Sequence, residues 1–153
     1  MSVATILYPA ELPRPERGGY VLNHVDPTRR TTLQTGRARQ RRVYTRVPTM
    51  VQATWRLKNA EAVLFEGFFR HTLQDGVEWF QCPLQTPLGV REYDARFAGM
   101  YQGPELIGPA IWSVTATLEL IERQTIDAAL TSLPQFIFGM SIIDVAINRE
   151  WPQ

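Results

Sequence analysis

Residues that could carry out chemistry are few in this chain. His24 and His71 are the only histidines, so acid–base work would fall to one of them together with a carboxylate. His71 stands four residues before Asp75, a spacing that on a helix permits an ion pair or hydrogen bond. A structural role near a helix C-terminus is the favoured reading. His24 precedes Asp26-Pro27, where turn chemistry accounts for it equally well. Cys82, the single cysteine, follows Trp79 and Phe80 and precedes Pro83. Nothing near it in sequence would lower its pKa, which suggests a buried thiol, and a lone cysteine forms no internal disulfide. No Gly-x-Ser-x-Gly elbow, phosphate-binding glycine loop or zinc-ligand spacing is present. The expectation is a chain with no catalytic residue, no cofactor and no metal.

Arginine is the exception. Arg29, Arg30, Arg37, Arg39, Arg41, Arg42 and Arg46 crowd into less than twenty residues, around a glycine, Gly36, that marks a hairpin turn between TTLQ and RVYTRV. Two uses fit. The guanidinium groups could pair with carboxylates on adjacent subunits or lie on a solvated face, because arginine holds bidentate partners well at interfaces. Alternatively they could neutralise phosphates, which would make binding fall steeply with salt. Only Tyr44 interleaves the cluster, so a base-stacking platform is poorly supported. The interface use is the favoured one. Trp151, near the C-terminal end, is the tryptophan best placed to dock on a partner. Trp55, Trp79 and Trp112 read as core anchors, together with Phe65, Phe68, Gly76 and Phe97.

The elements that must position these residues are organised around Val51 to Phe80. Val51, Ala53, Trp55 and Leu57 alternate with polar residues and predict a strand. Asn59 is placed to cap a helix, with Glu61 in its first turn. Ala60, Val63, Leu64, Phe68 and His71 recur at helical spacing, with Phe65, Phe69 and Thr72 widening the stripe. Gly76 ends the helix with a left-handed residue, and Val77, Trp79 and Phe80 resume an extended pattern.

Before this unit, residues 1–19 carry a short apolar run and three prolines and predict an arm outside the core, able to lie along a neighbour. A strand is expected from Tyr20 to Asp26. After the unit come a loop through Pro87 and Gly89, a strand VREYDARFA, a structured loop GMYQGPELIGP and a regular strand from Ile111 to Ile121. Arg123 to Ser132 predicts a short helix or an exposed connection, SIIDVAIN alternates as a strand, and QFIFGM has no clear period. The pattern predicts a mainly β, α+β chain: an antiparallel β-sandwich or open barrel with one flanking helix near 59–75. Three parts follow: an arm at 1–19, a domain at 20–123 and an extension at 124–153 packing on the domain or a neighbouring subunit.

Length and composition agree with one core. At 153 residues the chain buries roughly two-thirds of its unfolded surface without disulfides. With a hydrophobic fraction of 44% and a formal charge of +1, neither disorder nor whole-surface attraction to nucleic acid follows from composition. No apolar run reaches the roughly 20 residues that cross a bilayer, and no cleaved signal is expected.

Taken in order, RTTLQTGRARQRRVYTRVPTMVQATW, LKNAEAVLFEGFFRHTLQDGVEWF, PLQTPLGVREYDARFAGMYQGPELIG and WSVTATLELIER resemble a group of small structural proteins of tailed bacteriophages. An arginine-containing strand, a helix ending in an L-x-D-G-x-x-W-F turn, an A-R-F strand and a W-x-x-x-A-x-L-E strand carry the resemblance, which covers roughly residues 19–123. The similarity is to tail proteins of the distal-tail, tail-tube and baseplate-hub type. It implies a non-enzymatic virion protein, assembled in the host cytoplasm as a ring, hexamer or trimer, around the DNA channel of the tail. Partners would be further copies of itself, adjacent tail or baseplate proteins, and genomic DNA passing without sequence-specific binding; no membrane is implied. The termini would act as latches, and the seven arginines and Trp151 would lie at subunit or ring interfaces. Alternatives are a tail-completion or neck protein, or an arginine-rich nucleic-acid-binding module.

Overall fold

A computed structural model describes residues 4–140. The chain divides into two compact units, Met1–Arg123 and Gln124–Gln153. The first is mainly β, and its central strand pair follows directly from the two most regular alternations in the sequence.

Strand β5 (Thr49–Lys58) buries Thr49, Val51, Ala53, Trp55 and Leu57 and turns the residues between them outward. It pairs antiparallel along its whole length with β9 (Ile111–Leu120), whose Val114, Ala116, Leu118 and Leu120 are buried on the same face. Around this pair a mixed sheet assembles in the order β1-β6-β7-β9-β5-β2. Here β1 is Ile6–Leu7, β2 is Val21–His24, β6 is Phe80–Thr86 and β7 is Gly89–Phe97. Strand β8 (Gln102–Gly108) joins β9 beside β7. The remaining strands, β3 (Thr28–Thr32) and β4 (Ala38–Arg42), form a separate two-stranded sheet.

Helix α1 (Asn59–Gly67) continues into a π-helical turn, Phe68–Thr72, and the two cover the apolar face of the sheet. The Leu73 amide reaches the Phe68 carbonyl at 3.0 Å, five residues back, and the widened turn accompanies burial of both Phe68 and Phe69, neighbours in sequence. The buried stripe is Ala62, Phe65, Phe68, Phe69 and Leu73. This differs from the expected stripe: Val63, Leu64, Ala60 and His71 are exposed. The large aromatic side chains claim the core face because each buries more area than Val or Leu. Phe69 meets Phe97 edge-on at 4.9 Å, Phe65 lies 5.4 Å from Trp55, and Phe80 stacks on Phe97 at 5.6 Å.

The helix start also departs from expectation. Glu61 accepts the Lys58 backbone N–H at 2.8 Å, so Lys58 occupies the capping position. Asn59 instead accepts a hydrogen bond from the Trp112 indole Nε1 at 2.7 Å.

The N-terminal segment is a correction as well. Expected as an arm outside the core, it runs along the domain from residue 4 onward. Ile6 and Leu7 pair in parallel with Phe80 and Gln81, Tyr8 packs on Phe68 and Phe80, and Leu12 is buried in the core. The Glu16 amide then donates to the Thr54 carbonyl at 2.7 Å, on β5. The prolines that suggested an arm remove donors along this segment, while Leu12 and Tyr8 supply the apolar anchors that hold it. It thereby spans from β6 to β5, and the Tyr20 hydroxyl closes the same gap with a 2.8 Å bond to the Gln85 carbonyl.

Two further expectations change. GMYQGPELIGP contains strand β8, whose register shifts between Gln102 and Glu105 and between Leu106 and Gly108. Its Gly and Pro residues accompany the irregularities, where a strand tolerates them. The return strand of the arginine hairpin is Ala38–Arg42, not RVYTRV. In the second unit, α2 (Ala128–Thr131) is capped by Asp127, which accepts the Ala129 amide at 3.3 Å, and residues 134–140 are helical, a period not visible in QFIFGM. The expected SIIDVAIN strand lies outside the described residues.

Candidate interaction surface

The residues first considered for catalysis are kept apart from one another. His24 Nδ1 lies 3.0 Å from Thr49 Oγ1, which ties it to the adjacent strand. His71 and Asp75 are both exposed, and no hydrogen bond or ion pair joins them. Asp75 is instead turned by the chain reversal after the π-turn, where Gln74, Asp75 and Gly76 all have positive φ. Cys82 is fully buried, and burial pushes its thiol pKa up, which disfavours the reactive thiolate. Among the described residues no group of three or more His, Cys, Asp and Glu could hold a metal ion. A groove of about 450 Å³ beside the N-terminal segment has Tyr8, Arg14 and Glu92 as its ionisable lining residues. No helix of the described residues is long and apolar enough to cross a membrane.

The tryptophans and glycine expected as anchors divide. Trp55, Phe65, Phe68 and Phe97 are buried in one cluster. Gly76 takes φ +85°, and a Cβ there would come within 2.7 Å of the Phe69 ring and 2.9 Å of the Phe97 Cβ. Trp79 is a correction: it is half-buried, precedes β6 and lies beneath the Arg96 guanidinium, 4.7 Å from the ring centre. Trp112 is also only half-buried, since it sits near the end of β9, where the core face runs out beside Asn59. Trp151 lies outside the described residues.

The arginine hairpin is the distinctive surface. Asp26 initiates it by accepting both the backbone amide (2.8 Å) and the hydroxyl (2.7 Å) of Thr28, which also hold its carboxyl below the usual range. Residues of β3 and β4 then pair in order, Thr28 with Arg42, Arg29 with Arg41, Arg30 with Gln40 and Thr31 with Arg39. Gly36, at φ +81°, donates its amide to the Leu33 carbonyl and turns the chain. Every residue from Arg29 to Arg46 is exposed.

Cross-strand partners share a face, so the hairpin has two unlike sides. On one, Gln40 donates to Thr28 Oγ1 at 3.2 Å, and Arg42 donates to the carbonyls of Tyr44 and Thr45 at 3.0 and 2.8 Å. Arg42 is thus spent on holding the base of the hairpin, and Arg46 pairs with Glu122 at 3.4 Å. On the other side Arg29, Thr31, Leu33, Arg39 and Arg41 line a groove of about 300 Å³. None of those three guanidinium groups has a side-chain hydrogen bond or ion pair to a described residue; the three residues are held through the backbone ladder. Arg30 and Arg37 are exposed like them.

Electrostatically the hairpin is unbalanced. Between residues 27 and 46 there are seven arginines and no carboxylate, so the rest of the chain holds nine basic residues against 15 acidic ones. Arg29 directly opposes Arg41, an arrangement that repels. A two-stranded ribbon is marginal by itself, and this one buries no hydrophobic face. Its opposed arginines therefore work against its own pairing. The Asp-x-Thr initiation and the structural use of Arg42 escaped the sequence reading. The first has a legible signal, an aspartate two residues before a threonine, but the second depends on where the chain goes after β4.

No protein-family model, curated protein or solved structure matches this chain.

Proposed function

We propose that the chain is a non-enzymatic structural subunit of a bacteriophage tail, assembling with copies of itself into a ring around the DNA channel and joining neighbouring tail or baseplate proteins. The order of sequence motifs supports the tail assignment. The single observation that supports assembly is the exposed hairpin whose charges have no answering charge within it. Such a surface is suited to meeting a partner of opposite charge outside the subunit. In this reading the sheet, with its β5 and β6 sides bridged by the N-terminal segment and Tyr20, is the open barrel of the subunit. The latch role expected of the N-terminal arm passes to the hairpin, because residues 4–19 are engaged on their own domain.

The test is electron microscopy of concentrated protein beside a variant in which residues 29–41 are replaced by Asn-Gly, a two-residue turn that the Thr28–Arg42 pair can accept. Rings are expected from the intact chain and none from the shortened one. Equal ring formation by both would remove the hairpin from the assembly mechanism.

A further inference from the structure

The two faces of the hairpin differ in a way that assembly alone does not explain. Apart from Arg30, one face uses its polar groups internally, through Gln40 to Thr28 and Arg42 to the Tyr44 and Thr45 carbonyls. The other presents Arg29, Arg39 and Arg41 with the Thr31 hydroxyl along one groove, and leaves the three guanidinium groups without a side-chain partner among the described residues.

We infer that this second face binds the phosphate backbone of a nucleic acid. Three features favour phosphate over the carboxylates of another copy. The first is density. Arg29 and Arg41 face each other directly, and Arg39 stands one two-residue step along, about 7 Å on, so three guanidinium groups occupy one short patch. Duplex DNA offers a charge for about every 1.7 Å of axis and can answer all three at once.

Six of the chain's 15 carboxylates are already engaged within the subunit. Glu16, Glu119 and Glu122 are in ion pairs, and Glu61, Asp26 and Asp127 accept backbone amides. The second feature is chemistry: every basic residue of the hairpin is arginine, whose planar fork matches phosphate with two parallel hydrogen bonds, and Thr31 adds a hydroxyl of the kind that contacts backbone oxygens. The third is the lack of any base-reading device. The groove lacks an aromatic ring, Leu33 being its only large apolar member. Binding is therefore to the backbone and independent of sequence.

This inference rests on reading the hairpin as a docking element, and the two can fail separately. The experiment measures fluorescence anisotropy of labelled single- and double-stranded oligonucleotides with the full chain, from about 50 to about 200 mM salt. It compares the triple variant Arg29→Gln, Arg39→Gln, Arg41→Gln with Arg17→Gln, Arg70→Gln, Arg91→Gln, which removes the same charge from the body. Three phosphate contacts give a salt slope of about −2.7, so this face should account for about a 40-fold loss of affinity over that range. The face variant should lose that share and the body variant should stay within about twofold of the unmodified chain.

Absence of binding at low salt, or equal losses in both variants, overturns the inference. Tighter binding of a labelled poly-glutamate than of DNA also overturns it and assigns the face to an acidic protein. Light scattering on the face variant separates the two readings: an unchanged oligomer with lost DNA binding leaves assembly standing. Thermal melting of the same variant checks its folding, which removal of the opposed Arg29 and Arg41 charges should not weaken.

Discussion

Gly76 shows at one residue how sequence, turn and core are linked. Its positive φ belongs to the chain reversal after the π-turn, and the absence of a Cβ lets Phe69 and Phe97 close over it. A Gly76→Ala variant combines left-handed strain with overpacking and should cost about 2–4 kcal/mol in urea unfolding at unchanged slope. A loss under about 1 kcal/mol would mean that the turn relaxes freely.

Tyr20 offers a second residue-scale test. Burial raises its pKa from 10.0 to about 12, so the folded state favours the neutral phenol. Its contribution is fully present below pH 10 and is lost as pH rises towards about 12. Tyr20→Phe should therefore show a shallower alkaline fall in melting temperature over that window, while losing the bond to Gln85. Identical slopes in both proteins would contradict the assignment. Gly76 was legible in sequence because only a few residue types accept its conformation. Asn59 was not, because its oxygen had two possible donors, and the Trp112 indole comes from a strand over fifty residues away.

At the scale of elements, β5 and β9 were readable from alternation, since each has one buried and one open face. Strand β8 was hidden by its glycines and prolines, which mark bulges as readily as loops. The helix was legible in existence but not in its π-helical end or its rotation. With apolar residues almost all round, the face was chosen by which rings fit against Trp55 and Phe97, a tertiary decision. The N-terminal segment was misread for the same reason: its prolines are local signals, whereas the groove that receives Leu12 is made by distant strands. Leu12→Ala should cost about 2–5 kcal/mol, as for a buried leucine elsewhere, measured by denaturant unfolding of the dilute protein. An unchanged midpoint would restore the free arm.

For the whole molecule, the near-zero net charge conceals a segregation: a hairpin with only positive charge on a body with an excess of carboxylates. The arginine cluster was plain in sequence. Its division into a self-satisfied face and an open one required the register of β3 and β4 and the path of residues 43–45. The hairpin is exposed throughout, so replacing residues 29–41 by Asn-Gly should leave stability within about 1 kcal/mol of the intact chain. Its consequence should appear only in association.

The most direct measurement is therefore the mass of the protein by light scattering, over a concentration series at low and high salt, for the intact and the hairpin-shortened chain. The intact chain's mass should rise with concentration towards a ring and fall back as salt is added, while the shortened chain stays monomeric. An intact chain that remains a monomer at every concentration and salt would contradict self-assembly as the hairpin's purpose.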